Sequence, residues 1–288
     1  MRIRFIINPV SGTGKQKGIE NHINNHIKHD FEIVYTKSAG DATILSKSAI
    51  SQGFDIVVAV GGDGTVNECV KSLINSNTAL AIIPCGSGNG FAYHLGMKKD
   101  TKEAIKQLNN ICIESIDSCT ANGIPFVNVS GVGFDAHIAK LFSSVKERGF
   151  INYLKLVLKE LNYKAREYEI TYDGRNKKVE AFLISFANAS QYGNDAKISP
   201  IADIKDGLLD FVIVKSFPKW KIPLFLFKVA IGKVHLSKYV EIIQTEYMKI
   251  NTTDTLVHLD GEPLITTNPL HIKLLPKTLK IAMPYGGK

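Results

Sequence analysis

Over the first hundred residues, near-continuous apolar runs alternate with segments whose apolar residues recur every three or four positions. The runs IRFIIN, FEIVYT, DIVVAV and ALAIIP have the length and β-branched content of buried strands. Between them, Lys15 to His29 and Asp41 to Gln52 carry helical spacing. Strands this uniformly apolar belong to a parallel sheet covered by helices on both faces, which binds ligands at the carboxyl ends of its strands.

The pattern changes after about Cys112. ICIESIDSCTANGIPFVNVSG predicts a hairpin turning at Asn122-Gly123, and helical spacing runs from about Gly133 to Arg166. EYEITYDGRNKKVEAFLISFANAS predicts a second hairpin at Asp173-Gly174, followed by the short runs LLDFVIV, VEIIQT, MKINT, LVHLDGE, HIKLLP and LKIAMP. Short strands with turn signals predict an antiparallel sandwich. The expected division is an α/β domain over 1–115 and an all-β domain over 116–288.

A chain of 288 residues with 44% hydrophobic and 22% charged residues is long enough for two cores and is not of disordered composition. Cys69, Cys85, Cys112 and Cys119 form no CxxC pair, the pattern of reduced thiols in a cytoplasm. The start MRIRFIINP predicts a strand rather than an export signal. IPLFLFKVAI, broken by Lys228, is shorter than the ~20 residues of a spanning helix. The net charge of +8 favours polyanionic partners: nucleotide phosphates, nucleic acid or an anionic bilayer.

Three glycine-containing loops follow strands and precede helical segments: NPVSGTGK (8–15), GGDGTVNE (61–68) and PCGSGNGFA (84–92). Helix N-termini present unpaired N–H groups and positive dipole ends, and glycine lets a phosphate approach the backbone. Three such loops on one sheet edge form a polyphosphate cradle. No Walker A pattern and no GxGxxG after the first strand is present.

With NPVSG, YTKSAGDA (35–42), GGDGTVNE, PCGSGNGFA, VNVSGVGFDA (127–136), ISPIADIKDGLLD (198–210) and LDGE (259–262), the sequence resembles the bacterial lipid kinases of the diacylglycerol kinase catalytic-domain type. These are related to sphingosine kinases and, more distantly, to NAD kinases. The resemblance implies an NAD kinase-like three-layer α/β nucleotide-binding domain, a β-sandwich lipid-binding domain, ATP with Mg²⁺, and a membrane lipid as acceptor. Together with the loop argument it marks Asn8, Pro9, Ser11, Gly12, Thr36, Gly61, Gly62, Asp63, Gly64, Thr65, Asn67, Glu68, Gly86, Ser87 and Asn89 for the nucleotide, with Lys15 as a phosphate contact. It also implies a metal site at Asp203, Asp206 and the Leu208 carbonyl, and catalytic carboxylates at Asp260 and Glu262. The third loop departs from the diacylglycerol-directed pattern Gly-Thr-x-Asn-Asp: it reads Gly86-Ser87-Gly88-Asn89-Gly90, as in sphingosine kinases.

Asp63 is expected to hold Mg²⁺ near the phosphates, the alternative being a turn carboxylate bonded to backbone N–H groups. Asp260 and Glu262, two apart, are expected on one face of a strand, Asp260 as general base and Glu262 orienting it. Phe217 to Tyr239, with the single tryptophan and several lysines, reads either as a helix packed on the sandwich or as an interfacial surface. The expectation is therefore a cytoplasmic lipid kinase, peripheral to the inner face of an anionic membrane, without nucleic acid; a homodimer is left open. NAD kinase shares the GGDG loop but not NPVSG or the second-half signatures. A non-catalytic nucleotide-responsive binder is the third reading, opposed by the presence of Asp63, Asp260 and Glu262.

Overall fold

The structure is a computed structural model that describes residues 1–11, 18–145 and 149–286. It divides into two compact units, Met1–Ile116 with Lys277–Lys288, and Asp117–Pro276. The last twelve residues thus belong with the first unit, where a single boundary at 115/116 assigns them to the second.

In the first unit, β1 (Arg2–Ile7), α1 (Ile19–His26), β2 (Asp30–Tyr35), α2 (Asp41–Ser51), β3 (Ile56–Gly61), α3 (Asp63–Leu73), β4 (Ala79–Pro84), α4 (Gly90–His94) and α5 (Thr101–Gln107) follow in order. The strands pair in parallel as β2-β1-β3-β4. β3 and β4 are buried at every residue, whereas the edge strand β2 is half exposed and carries Asp30 and Glu32. α1 packs with α5, and α2 with α3. Arg4 is tolerated inside β1 because its guanidinium meets Glu32 (2.6 Å) and Gln52 Oε1 (2.7 Å) and lies over the Phe54 ring. Of the helix expected over Lys15–His29, residues 15–17 lie outside the described residues; α1 starts after left-handed Gly18 (φ 78°) and ends before extended Ile27.

β5 (Ile111–Ala121) leads into the second unit, which continues with β6 (Ile124–Phe126), β7 (Val129–Gly133), α6 (Phe134–Ser143), α7 (Phe150–Lys159), β8 (Arg166–Tyr172), β9 (Arg175–Ala181), β10 (Leu183–Ala187), β11 (Leu209–Val214), α8 (Ile222–Ala230), β12 (Val240–Thr245), β13 (Tyr247–Asn251), β14 (Leu256–Leu259), β15 (Glu262–Ile265) and β16 (Leu270–Pro284). One antiparallel sheet runs β12-β11-β10-β7-β14-β15, and the other joins the first half of β16 to β13, β8 and β9. The sandwich core lies between them, with Phe126, Tyr168, Ile184, Phe186, Phe211 and Met248 at its centre. β10 and β11 are buried on both faces, since Leu183, Ala187, Val212 and Val214 point the other way, into a second cluster with Phe134 and Ile138 of α6.

Asn122-Gly123 (φ 46°, 82°) and Asp173-Gly174 (φ 47°, 72°) are the expected two-residue turns, both residues left-handed as this hairpin twist requires. The single helical stretch expected over Gly133–Arg166 is two helices, α7 starting after Gly149 (φ 141°), and Arg166 already begins β8. HIKLLP and LKIAMP are one strand, β16, with Lys277 at φ 54° where the chain passes from the second unit to the first.

That return strand is part of the first core: Ile281 pairs with Leu80 of β4, and Leu279, Ile281 and Met283 are at most 1% exposed. Removing three such side chains forfeits about 5 kcal/mol of apolar burial, comparable with the whole stability of a domain of this size. A fragment ending at residue 116 is therefore expected to be unfolded by circular dichroism, and one with 277–286 appended through a flexible linker to show a cooperative melt.

Candidate functional site

In the first unit the three loops lie at the carboxyl ends of β1, β3 and β4, where a parallel sheet hands its chain to helices. Asn8 donates to Thr65 Oγ1 of α3 (3.1 Å), and its own side-chain oxygen accepts from Val10 N–H. Thr36 is nearly buried at the end of β2, its N–H bonded to Ile7 O. Pro9 is exposed, and Gly12 and Lys15 lie outside the described residues.

The second and third loops meet backbone to backbone. A Cβ on Gly86 would fall 2.5 Å from Gly62 Cα, and a Cβ on Gly61 would strike Thr65 Oγ1 at 2.5 Å. Gly62 is extended (φ −97°, ψ −172°), so close approach rather than left-handed geometry dictates glycine there. Asp63 opens α3 and accepts the Asn89 N–H from the third loop (2.9 Å). Asn89, left-handed and buried, closes its loop by accepting from Gly86 N–H (2.9 Å) and donating to Gly86 O (2.7 Å). One turn into α3, Asn67 is 3% exposed and its Oδ1 has no hydrogen-bond partner among the described residues.

In the second unit, Asp260 and Glu262 do not share a strand face. Asp260 (φ 48°) and Gly261 (φ 88°) are the two turn residues between β14 and β15, and Glu262 is the first residue of β15, paired with Leu259 and exposed. The correction has a plain cause: Asp-Gly is the sequence most suited to a turn needing two left-handed residues. Asp260 is 7% exposed, and its two carboxylate oxygens accept the N–H groups of Val127 and Asn128, each at 2.9 Å.

His258, 3% exposed, accepts Gly261 N–H on Nδ1 (3.2 Å) and turns Nε2 toward Asp135 Oδ2 at 3.8 Å. Asp135 also accepts from Ser185 Oγ (2.6 Å) and Tyr192 OH. Burial first, then the Asp135 charge, pushes the Tyr192 phenol well above its usual range and keeps it a donor. This network was not marked from the sequence, although VNVSGVGFDA contains Asp135; nothing local announces that Ser185, Tyr192 and His258 converge on it.

Asp203 and Asp206 each accept a backbone N–H two residues on, from Lys205 (3.0 Å) and Leu208 (2.9 Å), and Asp117 accepts from Gly207 (2.9 Å). Burial raises the Asp206 carboxyl above its ordinary range, and the Asp203 and Asp117 charges add to the rise. Among the described residues, no three His, Cys, Asp or Glu side chains converge closely enough to hold an ion by themselves.

Two family models divide the chain near residue 121, the second also covering part of the return segment of the first unit. Residues 2–121 match the diacylglycerol kinase catalytic domain, and residues 128–283 the YegS C-terminal NAD kinase beta sandwich-like domain. A protein of Chromohalobacter salexigens named "Probable lipid kinase YegS-like" is 30% identical, over 90% of this chain and 86% of its own length. The chain belongs to the diacylglycerol kinase catalytic-domain family of lipid kinases. The diacylglycerol kinase of Bacillus subtilis is 29% identical over 91% of this chain and 89% of its own. A crystal structure of a diacylglycerol kinase from Bacillus anthracis superposes with a TM-score of 0.76 at 25% identity, covering 98% of this chain and 96% of that one.

Within this lipid kinase, one residue marked for the nucleotide has another task. Glu68 accepts Gly40 N–H (2.9 Å) and Ala42 N–H (3.1 Å) with its two carboxylate oxygens, capping α2 and locking it to α3. Ser87 lies in the third loop between the Gly86 contact and Asn89, and Gly64 and Thr65 are in the first turn of α3.

The loop contact orders two substitutions. At Gly62 a Cβ meets Gly86 Cα at 3.2 Å, a few tenths of an ångström too close, whereas at Gly86 it meets backbone at 2.5 Å and Asn89 Oδ1 at 2.8 Å. Gly86→Ala is expected to weaken Mg-ATP binding at least tenfold in calorimetric titration, about 1.4 kcal/mol, and Gly62→Ala to cost less.

Proposed function

We propose that this lipid kinase transfers the γ-phosphoryl group of ATP, with Mg²⁺, to a hydroxyl of a membrane lipid of diacylglycerol or sphingoid type. The observation that carries the reading is the pairing of the second and third loops: Asp63 heads α3 and ties the loops together, and Asn67 Oδ1 is buried nearby in sequence with no partner among the described residues. A buried amide oxygen left unbonded is costly, so a donor or cation beyond the described residues is its natural complement. Asn8, Pro9, Ser11, Gly12, Thr36, Gly61, Gly62, Gly64, Thr65, Gly86, Ser87 and Asn89 are assigned to the nucleotide, with Lys15 on a phosphate.

Mg²⁺ supplies charge neutralisation for the phosphates, and Asp63 and Asn67 are the residues of α3 assigned to hold it. Asp260 is assigned the lipid proton. Its two backbone bonds orient the carboxylate. Glu262, exposed on β15, is assigned to acceptor positioning. The third loop, with glycine at position 90 where diacylglycerol-directed relatives carry aspartate, favours a sphingoid-like or other hydroxylated lipid.

Transfer of radiolabelled phosphate from ATP to diacylglycerol, sphingoid base, ceramide and phosphatidylglycerol tests the reading; no labelled lipid from any of these would overturn it. Asp260→Asn is expected to lower turnover by ~10²-fold or more with ATP affinity barely changed, because the base acts only as the proton moves. If Glu262→Gln proves the more damaging change, the two roles are reversed.

Asp203, Asp206 and the Leu208 carbonyl are assigned a structural divalent ion, an all-oxygen donor set of the kind Mg²⁺ or Ca²⁺ accepts. The raised Asp206 carboxyl is compatible with that assignment: burial raises it first, and the Asp203 and Asp117 charges add to the rise. A carboxyl raised in the folded chain contributes stability below its unfolded value, and that contribution is lost as pH rises through the raised value. A cation offsets the repulsion above that range. Mg²⁺ or Ca²⁺ is therefore expected to raise the melting temperature at neutral pH, and less at about pH 4. Asp206→Asn should abolish the cation effect, and an unchanged response would remove the site.

A further inference from the structure

The helix α8 is apolar on two faces. Phe225 packs with Phe217, whose ring stacks on it at 4.9 Å, against the outer cluster of the six-stranded sheet, and Val229 is buried. Leu224 and Phe227, three residues apart on α8, share the exposed side, with Trp220 in the 3-10 turn just before the helix and Ile231 just after its end. Trp220 is 77% exposed, Phe227 58% and Leu224 55%, and Leu236 extends the exposed apolar surface just beyond. Burial against the sandwich explains the inner stripe but not the outer one, and a contiguous exposed apolar patch marks an interaction surface.

The stretch that carries this patch is basic. Lys215 to Tyr239 contains six lysines and no acidic residue, with Lys215 alone of the six paired to a carboxylate among the described residues, Glu241 at 3.2 Å. Lys219 bonds to Asn162 Oδ1, Lys221 to Tyr239 OH (3.1 Å) and Lys228 to the Leu236 carbonyl (3.1 Å), all neutral oxygens, so these contacts leave their charges uncompensated. Lys221 and Lys238 lower the Tyr239 phenol from its ordinary range, a local sign of the positive field. Lys221 also lies over the Trp220 ring at 4.9 Å.

We infer that this outer face of α8, with Trp220 and the lysines around it, is the surface on which the protein docks on an anionic lipid bilayer. The inference rests on the lipid kinase reading for its occupant. A tryptophan, leucine and phenylalanine stripe rimmed by lysines matches the two layers of a bilayer surface, apolar chains entered by the stripe and anionic headgroups met by the ammonium groups. Lysine stems lying along the stripe keep their charged ends at headgroup level.

The chain's single tryptophan is at position 220, so its emission reports this face alone. With vesicles of phosphatidylglycerol and phosphatidylcholine the emission is expected to shift to the blue and to be quenched by brominated acyl chains. Pure phosphatidylcholine should have little effect, and salt should weaken binding, since exposed charges are screened over ~8 Å at physiological ionic strength. The double change Leu224→Ser and Phe227→Ser should lower vesicle affinity by about tenfold or more, while the melting temperature and phosphorylation of a short-chain lipid in detergent micelles stay unchanged. Unaltered tryptophan emission in anionic vesicles overturns the proposal, as does a double variant that binds vesicles like the unaltered chain. A double variant that instead turns a dimer into a monomer without affecting vesicle binding assigns the face to a second copy of the chain. Vesicle binding without phosphorylation of any lipid leaves the docking surface standing and sinks the kinase reading; micellar activity without an emission shift does the reverse.

Discussion

The site in the first unit depends on two polypeptide backbones coming within van der Waals distance. Gly62 and Gly86 have no side chains to hold the second and third loops apart, and the Asp63 carboxylate fastens the approach by taking the Asn89 N–H. The rest follows from that closeness. Asn89 is held left-handed, its side chain closes the third loop on Gly86, and α3 begins at Asp63. Glu68, one turn further, pins α2 to the same helix, so the loop geometry is continuous with the packing of the layer behind it.

The second unit reaches a comparable rigidity by a different route. Its six-stranded sheet is covered on both faces, so polar groups within it must find partners inside the protein. Asp260 does so through the amides of Val127 and Asn128, and Asp135 through Ser185 and Tyr192, with His258 between that network and Gly261. The Asp260-Gly261 turn is thereby fastened to Val127 and Asn128, and the Asp260 side chain is held in one orientation. On the far side of the same sheet, α8 fills the outer cluster with one stripe and presents the other outward, so a single short helix both completes a core and offers a surface.

Much of this was legible in the residues. Apolar runs fixed by burial on both faces located β1, β3 and β4, and Asn122-Gly123 and Asp173-Gly174 located their hairpins, because both signals are local: strand burial and left-handed turn geometry act within a few residues. The family signatures likewise lie in short contiguous stretches, and the glycines of the second loop announced a close approach by backbone. What the chain alone determined is therefore the element order, the two kinds of sheet and the short stretches that carry the family resemblance.

Tertiary structure decided the rest, wherever the cause lies far away in sequence. The partner of Gly62 is Gly86, and the task of Glu68 is set by Gly40 and Ala42; neither pairing has a local signal. Asp260 is expected on a strand face, but the fold sets it in a turn, where the amides of Val127 and Asn128, more than 130 residues earlier, claim its carboxylate. The return of Lys277–Lys288 to the first unit is invisible because the final apolar run would suit any sheet, and only the open edge of β4 selects it. The two faces of α8 carry the same kind of residue, and packing against the sheet alone determined which face is left outside.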